Sequence, residues 1–205
     1  VARRFETGWD QIYFISYDGK IVKRLTDSHL WAATVLKADE KRGKLYFSAK
    51  IDGAPRVTVF SVDIPRVALQ ASVPSKNSKT GLRKSADKFG TLTALTPLQL
   101  NAAGVDFADD ALSFTAYVSN STTPMKIVRY TLKNGKILNS RVLRDLTPGG
   151  YKAEDYALPQ LITMTTHDGF TLPAMVAYPK GFDDSGKTKY PVVMEIYGGP
   201  DTPYV

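Results

Sequence analysis

Two stretches of the chain repeat the same pattern of apolar runs around a glycine turn. The sequence QIYFISYDGKIVKRL, residues 11–25, returns as KIVRYTLKNGKIL, residues 126–138. Asp18-Gly19 and Asn134-Gly135 lie between the apolar runs, and such dipeptides favour tight hairpins because the turn requires positive φ angles. Each stretch is therefore predicted to form a strand, a turn and a strand.

A second pair of segments lengthens the repeat. KLYFSAKIDGAPRVTVFSVDI, residues 44–64, resembles LSFTAYVSNSTTPMKIVRYTL, residues 112–132. The repeat is about 45 residues long, which is typical of a four-stranded propeller blade. Because a propeller closes only with about four to eight blades, we expect this chain to supply the late part of a ring whose other blades precede Val1.

Eight strands are predicted for two blades. The first blade is predicted to contain Trp31–Ala38, Lys44–Lys50, Arg56–Asp63 and Thr91–Thr96, and the second Ala103–Phe107, Leu112–Ser119, Lys126–Leu132 and Arg141–Leu146. The propeller part is predicted to end near residue 150, and residues 151–205 are predicted to start another domain. The fold class is therefore mainly β.

Composition restricts the chemistry that the chain can perform. It has 205 residues with 43% hydrophobic content, which suits a globular protein with one or two cores. The absence of cysteine excludes a disulfide framework, a thiolate metal site and a cysteine nucleophile. No apolar run is long enough to span a bilayer and the start VARR is no signal peptide, so we expect Val1 to lie inside a longer polypeptide.

The formal net charge of +7 raises the question of a nucleic-acid partner. Much of the excess lies in residues 66–89, a serine-containing insertion before the last strand of the first blade. Phe89 is its one aromatic residue, whereas a single-strand-binding groove interleaves cations with several aromatic platforms. A solvated loop is therefore favoured over a polyanion site, and no nucleic-acid partner is predicted.

The pattern changes after Pro148-Gly149-Gly150. Residues 158–182 form a predicted hairpin around Asp168-Gly169, and a polar loop DDSGKTK follows. Val192–Tyr197 is a short apolar run bounded by Pro191 and by Gly198-Gly199-Pro200, which predicts a buried strand that enters a tight loop.

Three blocks in this second part resemble the start of the α/β-hydrolase domain of the prolyl oligopeptidase family. They are THDGFTL (166–172), YPKGFD (178–183) and KYPVVMEIYGGP (189–200). In the first part, GWDQIYFISYDGK (8–20) and ADEKRGKLYFSA (38–49) are similar to late propeller blades of the dipeptidyl peptidase IV branch of that family. The resemblance covers nearly the whole chain.

The resemblance implies a role for Tyr197. In this family the tyrosine before Gly-Gly-Pro supplies the side-chain half of the oxyanion hole, and a phenol hydroxyl suits that role because it can donate to a developing oxyanion. No G-x-S-x-G elbow occurs in the sequence, and the hydrolase order of serine, acid and histidine places the triad after this loop. The chain alone is therefore expected to be inactive.

The resemblance further implies a parent enzyme that is a serine exopeptidase. Such an enzyme releases N-terminal X-Pro or X-Ala dipeptides from peptide substrates through an acyl-enzyme. An acylaminoacyl peptidase or oligopeptidase of the same family stays open as an alternative, and so does a non-catalytic propeller that binds proteins. The resemblance also implies a bacterial periplasm or cell envelope and allows a homodimeric parent.

Other polar residues are interpreted as structural. His167 and His29 are predicted to be turn residues, and Glu195 is interpreted as a solvated or paired carboxylate, with a supporting role beside Tyr197 as the alternative. The acidic residues Asp10, Asp18, Asp109 and Asp110 resemble turn residues, since no histidine or carboxylate cluster has ligand spacing. No metal or cofactor is predicted.

Overall fold

The structure of the protein is a computed structural model that describes residues 1–6, 8–16, 19, 22–51, 54–65 and 89–196. Strands dominate these ranges: β1 (Ala2–Glu6), β2 (Trp9–Ile15), β3 (Val22–Arg24), β4 (Leu30–Asp39), β5 (Lys44–Ile51), β6 (Ala54–Asp63), β7 (Thr93–Ala94), β8 (Asn101–Phe107), β9 (Ser113–Asn120), β10 (Thr123–Lys133), β11 (Lys136–Asp145), β12 (Gln160–Thr165) and β13 (Thr171–Val176). One short 3-10 helix, Ala153–Asp155, is the helical element of the described ranges. No helix found there has the length and apolar content needed to cross a bilayer.

The strands form three antiparallel sheets. A seven-stranded sheet has the order β1-β2-β4-β5-β6-β7, with β3 also on β2, while β8 to β11 form a four-stranded sheet and β12 and β13 a hairpin. The strand β2 meets β4 only at the pair Asp10 and Leu30, so β1 to β3 are a partial blade beside the blade β4 to β7. The mainly β fold and its propeller blades are confirmed.

The last predicted strand of each blade differs from the structure. The last strand of the first blade covers only Thr93–Ala94, because only Phe60 and Ser61 of β6 pair with it. The last strand of the second blade begins at Lys136 rather than Arg141, because pairing with β10 continues from the turn. The predicted insertion at 66–89 lies outside the described residues except for Phe89.

Side chains of the middle blade enter two different cores. The first core contains Ile12, Leu25, Leu30, Ala33, Leu45, Phe47, Ala49, Phe60, Val62 and Ile64. The second core contains Tyr46, Val59, Leu95, Ala102, Ala111, Phe114, Ala116, Val118, Val128, Tyr130 and Leu132. Successive residues of a strand point to opposite faces, so Phe47 and its neighbour Tyr46 fill different cores. The blade β4 to β7 is thus buried on both faces.

Aromatic rings connect the blades across the second core. The ring of Tyr46 on β5 lies 4.9 Å from that of Phe107, which lies 4.9 Å from Phe114, and Phe114 lies 4.8 Å from Tyr130. These centroid distances fall in the range in which aromatic pairs contribute about 0.5–1.5 kcal/mol beyond their buried area. The row joins the first blade to three strands of the second.

The predicted Asn-Gly hairpin is confirmed and also contacts the neighbouring blade. Asn134 and Gly135 both have positive φ angles, 53° and 73°, as this turn requires. The hydroxyl of Ser61 on β6 donates to the carbonyl of Gly135 at 2.6 Å. A Cβ at position 135 would lie 2.7 Å from the end of the flexible Lys44 side chain, which can move aside, so the positive φ is what favours glycine here.

An ion pair between the buried Asp39 and the exposed Arg42 fixes the neighbouring turns. Asp39, at the end of β4, accepts from the guanidinium of Arg42 at 2.7 Å and from its backbone N–H at 3.1 Å. The same guanidinium donates to the carbonyl of Asp110 at 3.0 Å, and its hydrogen bond with Asp39 raises the pKa of Arg42. Arg42 therefore links the β4–β5 turn to the β8–β9 turn of the next blade.

The first strand of each blade carries a bulge at the same place. The register with the second strand shifts after Trp31 in β4 and after Ala103 in β8. The next residues, Ala32 and Gly104, have φ angles of 52° and 53°. Bulges with a left-handed residue bend a strand and redirect its side chains, and this bulge recurs in both blades. Glycine adopts the left-handed conformation without strain, whereas alanine at the same position is strained.

The hairpin predicted around Asp168-Gly169 is confirmed. Its strands pair from Gln160 with Val176 to Thr165 with Thr171, and Gly169 has a φ of 87°. The boundary near residue 150 stays a prediction.

The prediction of a buried strand over Val192–Tyr197 is wrong for its described part. Residues 191–196 have no strand pairing, and the side chains of Val192 and Val193 are 82% and 96% exposed. An isolated apolar run cannot satisfy its backbone groups as a strand without a neighbouring strand, and β12 and β13 pair only with each other.

The repeated bulge generates a prediction about stability. We expect Ala32→Gly to raise the free energy of unfolding by about 0.5–1 kcal/mol, because relief of about 1–2 kcal/mol of left-handed strain exceeds the entropic cost of glycine. Gly104→Ala is expected to lower it, since the new Cβ would lie 2.5 Å from the ring of Tyr117. Ala103→Gly, which relieves no such strain, is the control. Denaturant unfolding checks all three, and destabilisation by Ala32→Gly would contradict the assigned bulge.

Candidate functional site

The residue predicted to act in catalysis, Tyr197, lies outside the described residues. Its approach is described, from the hairpin β12–β13 through residues 178–196. The candidate site therefore consists of the segments that lead to Tyr197.

The hairpin turn before this segment is held by one threonine. The hydroxyl of Thr166 accepts from the backbone N–H of Phe170 at 3.0 Å and also contacts the carboxylate of Asp168. The backbone N–H of Thr166 donates to the carbonyl of Phe170 at 2.8 Å. His167 is exposed at the tip of this turn, in agreement with its interpretation as a turn residue.

Three aromatic rings in tilted contact close the loop that follows. The ring of Tyr178 lies 4.5 Å from that of Phe182, which lies 4.9 Å from Tyr190. The hydroxyl of Tyr190 accepts from the backbone N–H of Asp183 at 2.9 Å. The start of the loop is thereby fixed to its end, only a few residues before Tyr197.

The carboxylate of Asp183 organises the polar part of this loop. It accepts from the backbone N–H of Ser185 at 2.9 Å and from the hydroxyl of Thr188 at 3.0 Å. Hydrogen bonds from the side chain and N–H of Ser185 and from Thr188 lower the pKa of Asp183 below its ordinary value of 3.8. Because these bonds favour the charged form, the turn is most stable when Asp183 is ionised.

Of the other polar residues interpreted from the sequence, only Glu195 and His167 lie in or beside this segment. His29 stacks on Trp9 at 4.5 Å within the propeller. The interpretation of Asp10 as a turn residue is wrong, because it lies buried in β2 and accepts from the backbone N–H of Ala33 at 2.9 Å. Glu195 is exposed, and Asp18 lies outside the described residues. In the described ranges, no three histidine or acidic side chains are grouped as metal ligands.

Sequence reasoning missed the loop closure by Tyr178, Phe182 and Tyr190. The block YPKGFD, which contains Tyr178 and Phe182, indicates a family resemblance but does not by itself predict this closure. The spacing of an aromatic pair followed by a polar Asp-Asp-Ser-Gly turn and a further tyrosine was the available indication that the loop closes on itself.

Comparison with known proteins identifies the family. The sequence model of the dipeptidyl peptidase IV N-terminal region matches residues 2–130, well over half of the chain. The chain belongs to this family. The matched region contains the partial blade, the blade β4 to β7 and most of the blade β8 to β11.

Relatives extend the similarity beyond residue 130. A probable dipeptidyl-aminopeptidase B of Uncinocarpus reesii is 29% identical over 193 residues, which cover 92% of this chain and 18% of that protein. A probable dipeptidyl peptidase 4 of Aspergillus flavus is 24% identical over 196 residues, which cover 95% of this chain and 22% of that protein. The chain thus spans about a fifth of the length of these relatives.

A solved structure shares the fold. The crystal structure of Porphyromonas gingivalis dipeptidyl peptidase 4 aligns with 88% of this chain and 22% of its own, with a TM-score of 0.58 and 16% sequence identity. At this identity the likeness concerns the fold, and it includes residues on both sides of residue 150.

The loop closure generates a prediction about pH. We expect the carboxyl group of Asp183 to titrate below 3.8. The stability that it contributes is present above its unfolded pKa and is lost as the pH falls through the lower folded pKa. NMR is the measurement: the amide shift of Ser185 should follow the carboxyl titration of Asp183 and should not do so in Asp183→Ala.

Asp184→Ala is the matched control, because it removes the adjacent acid and leaves the acceptor of the Ser185 N–H in place. An Asp183 midpoint at or above 3.8, or an unchanged Ser185 titration in Asp183→Ala, would show that this carboxylate does not hold the turn.

Proposed function

We propose that the chain forms part of a serine dipeptidyl peptidase that removes N-terminal dipeptides ending in proline or alanine. The supporting observation is membership of the dipeptidyl peptidase IV family over residues 2–130, together with relatives named for dipeptidyl peptidase activity that align through most of the remaining residues. Because the chain spans only about a fifth of those relatives, the activity is proposed for a longer polypeptide.

The role proposed for residues 1–150 is that of a scaffold. The blade β4 to β7, which contributes to a core on each face, gives a rigid wall, and rigid elements position functional groups more accurately than loops do. Residues 151–205 are proposed to begin the catalytic α/β-hydrolase domain, with the hairpin β12–β13 and the closed loop 178–190 as its first elements. A peptide is the proposed substrate, and the proposed place of action is a bacterial envelope or periplasm.

The chemistry proposed for Tyr197 is stabilisation of a transition state. A serine hydroxyl of the longer polypeptide attacks the carbonyl carbon of the second residue, its proton passes to a histidine, and the carbonyl oxygen becomes an oxyanion. The phenol of Tyr197 donates to that oxygen. The C–N bond then breaks, the amine leaves with the proton from the histidine, and water hydrolyses the resulting ester.

The oxyanion role generates the functional prediction. In the longer polypeptide, Tyr197→Phe is expected to lower kcat for Gly-Pro chromogenic amides by about 10²–10³-fold while KM and melting temperature change little. Tyr190→Phe is the matched control: it deletes the acceptor of the Asp183 N–H, which is expected to cost about 1 kcal/mol of stability and far less of kcat.

Near-normal kcat with a lowered melting temperature in Tyr197→Phe would assign Tyr197 to a structural role. Absence of dipeptide release by the wild-type longer polypeptide would instead overturn the proposed activity and favour a protein-binding propeller.

A further inference from the structure

No described residue covers the outer face of the blade β8 to β11, whereas β5 of the neighbouring blade is buried on both faces. One face of β8 to β11 supplies Ala102, Phe114, Ala116, Val128 and Tyr130 to the second core. Residues of the other parity point away from that core. Cross-strand pairing places these residues in rows across the sheet. One row contains Ala103, Tyr117, Ile127 and Arg144. Another contains Asp106, Thr115, Arg129 and Arg141.

This outer face is strongly basic. Its exposed cations are Arg129, Lys133, Lys136, Arg141 and Arg144. Among the described residues, no carboxylate lies within ion-pair distance of any of the five. Asp106 shares a row with Arg129 but lies two strands away from it. The face therefore carries a local charge that the described residues leave unbalanced.

Cross-strand pairing of these cations with one another destabilises the sheet when its face is uncovered. Arg129 is the direct cross-strand partner of Arg141, and Lys133 is that of Lys136. Like charges directly opposite each other on antiparallel strands are destabilising. The hydroxyl of Ser113 accepts from Arg129 at 3.2 Å, which orients that guanidinium without neutralising it. These two pairs leave a like-charge repulsion on the face that a covering acidic surface would relieve.

We propose that this face is an ion-paired blade interface, covered by a neighbouring propeller blade of the same longer polypeptide that presents carboxylates to Arg129, Arg141 and Arg144. Blades of a propeller stack face to face around the ring, and the blade β4 to β7 shows this two-sided covering within the chain. Its interfaces are apolar cores, whereas the proposed one is held by charge around the apolar pair Tyr117 and Ile127.

A second copy of the chain fits this face less well. A two-fold contact would place the same surface on both sides, so arginine would meet arginine. Arginine forms bidentate bonds with carboxylates, which gives an acidic blade the complementary chemistry. The proposal rests on the propeller fold and not on the proposed peptidase activity, so loss of turnover and loss of this interface are separate results.

The test compares the same substitution in two chain lengths. In the longer polypeptide, Arg141→Gln removes an ion pair and is expected to lower the melting temperature by about 1–2 °C. In the 205-residue chain, where no described residue covers the face, the same change relieves repulsion from Arg129 and is expected to raise the melting temperature. Lys187→Gln, an exposed cation on the loop 178–190, is the control and should change neither.

Salt dependence gives a second measurement in the longer polypeptide. Raising salt from about 0.05 M to about 1 M should lower its melting temperature through screening, and the double variant Arg129→Gln/Arg141→Gln should show less of this loss. A change of the same sign in both chain lengths, or an unchanged salt response in the double variant, would overturn the proposal. Heparin binding by the longer polypeptide that is lost in Arg141→Gln would also overturn it, since a polyanion would then occupy an accessible face.

Discussion

Burial of the blade β4 to β7 on both faces is the constraint on which the rest of the structure depends. A sheet with one apolar face can leave the other face in water, but β5 and β6 place apolar side chains on both. Phe47 and Phe60 fill the first core, while Tyr46 and Val59 fill the second. Neither set can be buried unless sheets lie on both sides, so the neighbouring blades are required by the composition of this one.

The polar contacts between blades follow from that packing. Because the second core brings two blades together, their turns lie close enough for Arg42 to reach the carbonyl of Asp110 and for Ser61 to reach that of Gly135. Each contact satisfies a backbone carbonyl in a turn, where the sheet offers no partner. These bonds fix the relative position of blades that apolar packing alone would hold less specifically.

The repeat and the alternation of apolar residues predicted the blades well. Period-two patterns with turn residues between them predicted the strands around Phe47, Phe60 and Phe114. The rule works for these strands because neighbouring strands of the same chain pair with them and cover their apolar side chains. The apolar run Val192–Ile196 has a similar composition but no partner strand among the described residues, so the same rule failed there. The bulge at Ala32 could not be predicted, since alanine gives no indication of a left-handed residue, whereas glycine inside a strand, as at position 104, often marks a bulge.

Amide hydrogen exchange of the 205-residue chain tests most directly whether the rest of the structure depends on the burial of the blade β4 to β7 on both faces. The slowest amides should lie in β5 and β6, which have strands on both sides and cores on both faces, and the hairpin β12–β13 should exchange much faster because it is two-stranded and its side chains are largely exposed. Exchange from buried, fully paired strands requires large-scale opening, whereas a small exposed hairpin opens locally. Equal protection of β12–β13 and β5 would contradict the claim that the blade β4 to β7, with a core on each face, is the most stable part of the chain.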